Sequence, residues 1–430
     1  MSDAHATHEG GDELASLFRR ESGRMTSALV RLFGPHNLPL AEDVVNDALC
    51  RALEVWKFSG VPENPAAWLM AAAKNRAIDV LRRERKARTI APDVEYAIAS
   101  DAALKPAVDE VFREEALRDE QLRMMFACCH ARLPEEVQVA LVLNLLSGFG
   151  VGEIAAAFLV SHAAMEKRLQ RGKLALAESR GLLEVTPRVV AENLETVHSA
   201  IYLVFNEGYH GNHPAETVRA ELCAEAIRLG TLLAESETTA TPATQALLAL
   251  MLLVAARLPG RVDANGELVP LDAQDRSRWN AELARRGREA LEASARGDEL
   301  TAWHVEAAIA FEHTTAASHA ATPWGRIVSH YDTLLKMRPS PVVALSRAIA
   351  VGELEGPARA LRELEAIAGR ERLDHYPFYP AAIGEQLLRA GRRDEARASF
   401  GAALGMARSP SEKRFFERMI TRCDGDGTRK

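Results

Sequence analysis

Between Lys74 and Arg88 the chain sets seven basic residues against two acidic ones, although its formal net charge is −7. The chemistry open to such a run is anion binding. Lysines and arginines laid along a phosphate backbone release its condensed counterions and gain affinity by doing so. A cationic helix end is favoured by the helix dipole, which explains some of these charges but not seven of them. Two other groups hold residue types that could do chemistry. Cys128, Cys129 and His130 are consecutive, so on a helix their side chains point about 100° apart. No second CxxC or HxxH follows them, and buried thiols are the expectation there, with no metal site. Glu207, His210 and His213 are loosely spaced, and Gly208 and Gly211 make that segment read as a structural turn. No carboxylate dyad, nucleophile triad or phosphate loop stands out, so neither an enzyme nor a bound cofactor is expected.

The basic run needs an element to hold it. Asn64 and Pro65 give an N-cap followed by proline at the first helical position. Beyond them Leu69, Ala73, Ala77 and Val80 recur at helical spacing and should face a core, leaving Trp68, Asn75, Asp79, Arg82 and Arg83 on other faces. The preceding segment, Ala41 to Trp56, reads as a helix buried through Val44, Val45, Ala48, Leu49, Ala52, Val55 and Trp56. Its start carries Glu42, Asp43 and Asp47, where the dipole favours acids. After Arg88 the pattern turns acidic and aperiodic, predicting a linker over 89–112 between a domain at 10–88 and another at 113–184. In the second, "LPEEVQVALVLNLLSG" reads as one helix ending near Gly148 and "VGEIAAAF" as a short one. Ser161 is a candidate N-cap for "HAAMEKRLQRGKLAL", which completes a helix-turn-helix. Met165, Leu169 and Leu174 would hold that helix to the core. His162, Ala164, Glu166, Lys167, Arg168, Gln170 and Arg171 would face outward, and Val151 stands where a Ser or Thr cap would be expected.

Residues 185–425 predict further helices. The apolar run Ile201 to Phe205 leads into Asn206, Glu207 and Gly208, where a helix break is expected. "DANGELV" suggests a hairpin turn at Asn265–Gly266, and "LDAQDRSRWN" should cap the helix after it. Gly356 and Gly391 each separate two helical stretches and lie 35 residues apart (391 minus 356), close to the ~34-residue tetratricopeptide period. Such pairs stack into a concave solenoid that holds peptides or helices. Apolar residues make up 47% of the chain and aromatics 6%, which with scarce β-branched runs predicts an all-α fold in two or three domains. No apolar run approaches the ~20 residues that span a bilayer. The acidic N-terminus is unlike a signal peptide, and the five unevenly spaced cysteines suit a reducing compartment, so a cytoplasmic protein with no membrane contact is expected.

"LAEDVVNDALCRALEVW" followed by "VPENPAAWLMAAAKNRAIDVLRRERK" resembles region two of the extracytoplasmic-function (ECF) sigma factors of bacterial RNA polymerase. The helix-turn-helix about 70 residues later resembles their region four. "IYLVFNEGY", "LVPLDAQDRSRW" and "SPVVALSRAIAV" match the subgroup with a C-terminal tetratricopeptide-like extension. The resemblance implies two helical sigma domains and a helical solenoid, with core polymerase (the β′ clamp helices and β flap) and promoter DNA as partners. It implies that Glu42, Asp43, Asn46 and Asp47 contact polymerase. Phe58, Val61, Glu63 and Asn64 would surround a flipped base of the −10 element, with Trp68, Asn75, Arg76, Asp79, Arg82 and Arg83 along the DNA. Ser161, His162, Ala164, Glu166, Lys167, Arg168, Gln170 and Arg171 would read the −35 element, and the linker would thread through polymerase near the RNA exit channel. The extension would control activity, with Phe205, Asn206 and Glu207 as regulatory positions and a protein as the solenoid's possible ligand. The rival reading is a tetratricopeptide-like scaffold whose helix-turn-helix head makes it an ordinary transcription regulator. The acids Glu42 to Asp47 discriminate, because a repressor has no need of them.

Overall fold

The computed structural model describes residues 3–84, 101–130, 133–158, 160–178, 186–209, 218–263, 267–407 and 409–425. Among these the structure is helical throughout, apart from an isolated antiparallel bridge between Val262 and Leu268. Packing divides the chain into two compact units, residues 1–204 and 205–430.

The first unit begins with α1 (Asp3–Phe33), α2 (Leu38–Ser59) and α3 (Pro65–Glu84). Met25, Leu29, Ala41, Val44, Ala48, Leu69, Ala73 and Ala77 are essentially removed from solvent in its core. Leu49 is only half-buried and Val55 is 38% exposed, so the buried stripe of α2 is narrower than its apolar content suggests. Next come α4 (Asp101–Val111) and α5 (Glu114–Cys128). Helix α4 lies inside the stretch predicted as linker; Leu104 and Val108 are buried at i, i+4 spacing, and Pro106 within the helix hid that signal. The linker's first part, 89–100, lies outside the described residues, as do 85–88 before it. Helix α6 (Glu135–Leu141) passes into a π-turn at Val142–Leu146 rather than continuing as one α-helix. The wider turn brings Val142, Leu143, Leu145 and Leu146 all into the core. The helix-turn-helix is α7 (Val151–Ala157) and α8 (His162–Glu178).

Helix α1 packs on both parts of this unit. A Cβ at Gly23 would fall 1.7 Å from the carbonyl oxygen of Leu146, so only glycine permits this approach of α1 to the π-turn. The fully buried Glu21 carboxylate accepts hydrogen bonds from Arg20 at 3.0 Å and Arg24 at 2.9 Å. Arg24 also pairs with Glu114.

Helix α9 (Pro187–Tyr209) runs through the division between the units. It does not break at Asn206–Gly208. Gly208 serves instead as a close-contact position, where a Cβ would lie 2.8 Å from the Arg219 carbonyl oxygen and from Cys223. The second unit continues with α10 (Ala220–Glu235), α11 (Pro242–Ala255), the short α12 (Leu258–Arg261), α13 (Ala281–Ser294), α14 (Ala302–Thr315) and α15 (Trp324–Met337). It ends with α16 (Pro341–Glu355), α17 (Pro357–Glu365), α18 (Phe378–Arg389), α19 (Arg393–Met406) and α20 (Pro410–Asp424). From α13 onward each helix packs on the next, as in a solenoid. Gly356 and Gly391 adopt φ of +89° and +78° between their helix pairs, a backbone that favours glycine. Phe400 and Phe416 fill the core of the last three helices. Main-chain bonds from Val269 N–H to Arg261 and from Asp263 N–H to Glu267 pair the flanks of the expected hairpin, whose turn at 264–266 lies outside the described residues. Asn280 caps α13 by accepting from Leu283 N–H at 2.9 Å.

Candidate nucleic-acid interface

The basic helix starts as its sequence dictates. Asn64 Oδ1 accepts a hydrogen bond from Ala67 N–H at 3.0 Å, and Pro65 opens α3. Helix α2 stops at Gly60, whose φ of +77° turns the chain into the short 60–64 connection. Trp56 and Trp68 meet edge-on at 5.4 Å, and Phe18 lies 5.5 Å from Trp56. This aromatic base holds a tip on which Phe58 is 87% and Val61 56% exposed, with Glu63 and Asn64 also in solvent. Two large apolar side chains held in water on a rigid support suit stacking against an unpaired base.

Along α3, Leu69, Ala73, Ala77 and Val80 are buried, and Asn75, Asp79, Arg82 and Arg83 are exposed. Arg82 lies 3.8 Å from Asp79. Arg76 turns instead toward α2, where Asp47 Oδ2 accepts from its Nε at 2.7 Å. On α2 itself Asp43 and Asn46 are exposed. Glu42 is half-buried and pairs at 2.5 Å with Lys173 of α8. Lys173 was invisible as a site residue in sequence, because only the packing of α8 beside α2 gives it a partner. Leu53, at 56% exposure, is a further apolar contributor to this end of α2 that periodicity did not single out.

In the helix-turn-helix, Ser161 Oγ accepts from Ala164 N–H at 3.2 Å, as its capping role predicts. At the start of α7 no Ser or Thr is required at Val151: Gly150 is the N-cap, and its N–H donates to Glu153 Oε2 at 2.7 Å. Glu153 also accepts from Arg19 at 3.0 Å. Met165, Leu169, Gly172 and Leu176 form the buried stripe of α8. Leu174 falls off that stripe and is 58% exposed, so it does not anchor the helix. His162, Ala164, Glu166, Lys167, Gln170 and Arg171 face solvent. Arg168 does not: its side chain is 16% exposed and pairs with Glu136 of α6 at 3.0 Å.

The remaining sequence candidates lie elsewhere. Cys128 and Cys129 are buried, and burial pushes the Cys129 thiol up to about 12. Phe205 is 1% exposed, stacked 6.1 Å from Tyr209, and its carbonyl accepts from Cys223 Sγ–H at 3.5 Å. Asn206 and Glu207 beside it are half-buried. His210 and His213 lie outside the described residues.

Three family models match the chain: "Sigma-70 region 2" over residues 17–87, "Sigma-70, region 4" over 123–176, and a family of unknown function over 193–295. An uncharacterised protein of Rhizobium meliloti (strain 1021) is 38% identical over 418 residues, 96% of either chain. The ECF RNA polymerase sigma factor SigK of Mycobacterium sp. (strain KMS) is 25% identical over 175 residues, covering 40% of this chain and 84% of its own. A SigK of strain JLS matches over the same extent. No solved structure matches the chain.

Proposed function

Because the chain belongs to the ECF sigma factors of the sigma-70 family, we propose that its two sigma regions read a bipartite promoter through the residues placed above. Sigma factors give RNA polymerase its promoter recognition and are initiation factors rather than enzymes. The observation that carries the finer reading is the Phe58–Val61 tip, exposed on its aromatic base beside the basic edge of α3. Extruding a base costs a few kcal/mol, and an apolar and polar receptor for it offsets that cost. Phe58, Val61, Glu63 and Asn64 form the receptor, and Asn75, Arg76, Asp79, Arg82 and Arg83 follow the strand from it, with Trp68 supporting the tip. The outward residues of α8 read the −35 element. Arg168 joins them by exchanging Glu136 for a phosphate, which is the stronger counter-charge.

Asp43, Asn46 and Asp47 of α2, with Glu42, form the surface for the β′ clamp helices of core polymerase, and the β flap meets the region-four unit. The free exposure of Asp43 and Asn46 supports docking on a protein over the rival reading of an ordinary regulator. No helix among the described residues is long and apolar enough to cross a membrane, and polymerase docking places the protein in the cytoplasm. The second unit controls activity, with Phe205, Asn206 and Glu207 at its start as internal supports. The test is promoter melting followed by fluorescence of 2-aminopurine in the −10 element. Phe58→Ala should slow the rise of the signal several-fold or more while leaving polymerase binding intact. Melting at the wild-type rate would overturn the assignment of the tip.

A further inference from the structure

Inside the second unit the sequence concentrates two arginines and a histidine where no acid among the described residues pairs with them. Arg257 follows α11, Arg276 lies in the turn before α13, and His313 closes α14. Arg257 Nε, Arg276 Nη2 and His313 Nδ1 are all buried from water and have no hydrogen-bond partner. Neither arginine has an ion-pair partner among the described residues. The three groups lie together. Arg276 Nη1 donates to the His313 carbonyl at 2.9 Å and to that of Ala316 at 2.6 Å, which lays its guanidinium over the end of α14. Arg276 also rests on the Trp279 ring at 4.7 Å. His313 and His319 each meet the Trp324 ring, at 5.4 and 5.1 Å. Nearby, Arg261 covers the Tyr209 ring at 4.1 Å.

These groups feel one another's charge. Burial, and then the charges of Arg257, Arg276 and His319, press His313 down to about 3. Burial, and then Arg257, lower Arg276 as well. Elsewhere in this unit half-buried arginines are paired: Arg347 with Asp332 at 2.6 Å and with Glu363 at 2.7 Å, and Arg228 with Glu225 at 2.7 Å. An uncompensated cluster is costly, because each unmet buried donor loses its hydration without return. Local rules are broken in this way at sites that bind something.

We propose that Arg257, Arg276 and His313 form a binding site for the oxyanion group, phosphate or carboxylate, of a small ligand. Guanidinium groups present paired donors that match both groups in geometry and charge. Trp279 and Trp324 flank the arginine and the histidine and give the site an apolar wall. The site belongs to the second unit and does not depend on the promoter-reading assignments.

The test is isothermal titration of the full chain with inorganic phosphate and, separately, with succinate, at matched ionic strength in chloride buffer. Saturable one-to-one binding of either probe is expected, and the tighter one identifies the group. Arg257→Met should weaken binding at least tenfold. The Arg257 side chain makes no hydrogen bond in the fold, so this variant removes charge without removing one. In chloride buffer free of phosphate and carboxylates it should melt no lower than wild type, and phosphate or succinate should no longer raise its melting temperature. Arg276→Lys, which keeps the charge and loses the fork, should bind more weakly than wild type and more tightly than Arg276→Met. Absence of saturable binding to the wild type, or binding undiminished by Arg257→Met, would overturn the proposal.

Discussion

Phe58 stands where the role proposed for it would cost the fold little. It is 87% exposed, so Phe58→Ala should change unfolding free energy by no more than about 0.5 kcal/mol. Losing a base stack of about 1–3 kcal/mol should still slow open-complex formation by about 5- to 150-fold. Urea unfolding and stopped-flow melting check the two halves, and a destabilised variant would show that the ring is structural. Asp43→Lys should likewise leave the fold intact and abolish co-elution with core polymerase, since like charges at a docking surface are strongly unfavourable. His313 supplies a different readout. Its proton affinity in the folded state, about 3, lies below its ordinary value of 6.5, so protons bind the unfolded chain more readily. Its contribution is therefore fully present above about pH 6.5 and is lost as pH falls toward 3, by at most about 1.4 kcal/mol per pH unit. Urea unfolding at pH 7, 6 and 5 in phosphate-free buffer should show His313→Gln losing less stability than wild type. Parallel pH profiles would mean that the ring is not held neutral by its neighbours.

Helices α2, α3 and α8 were legible in sequence because their signals are local. Asn64 and Ser161 cap α3 and α8, and Val44, Ala48 and Ala52 in α2, Leu69, Ala73 and Ala77 in α3, and Met165 and Leu169 in α8 mark the buried stripes at helical spacing. What periodicity could not carry was partnership. Lys173 and Arg168 are surface cations by pattern, and only tertiary packing gives them Glu42 and Glu136. The same limit hid Gly208, which sequence reads as a breaker and the fold uses for contact. Helix α4 was missed because Pro106 sits among its buried positions. Alanine is the better helix former by about 1 kcal/mol, yet Gly23→Ala should lower the melting temperature, because its methyl would collide with Leu146. A higher melting temperature would show that α1 does not approach the π-turn. On α8, Arg171→Ala should weaken −35 binding and lower the salt slope by about one if Arg171 meets a phosphate. Glu136→Ala should strengthen binding at low salt by releasing Arg168; unchanged affinity in filter binding would leave Arg168 outside the DNA contact.

Across the whole molecule the charge is divided by task. A net −7 disfavours indiscriminate association with nucleic acid, and in the proposed reading the basic edge of α3 and the outward face of α8 supply local attraction. In the proposed reading, phosphate contacts set affinity and register, while the tip and the recognition helix set sequence choice. The second unit is larger than a capping element would need to be, and the cationic cluster gives it a chemistry of its own. Truncation after Val204, the end of the first compact unit, should therefore change transcription strongly while circular dichroism still reports a folded protein. The most direct measurement of the central claim is run-off transcription with purified core polymerase and the full chain, on a template carrying both promoter elements. The account predicts a discrete transcript that depends on the chain, disappears with Asp43→Lys, and falls with Phe58→Ala or when either promoter element is scrambled. A transcript indifferent to Asp43, Phe58 and both elements would contradict it.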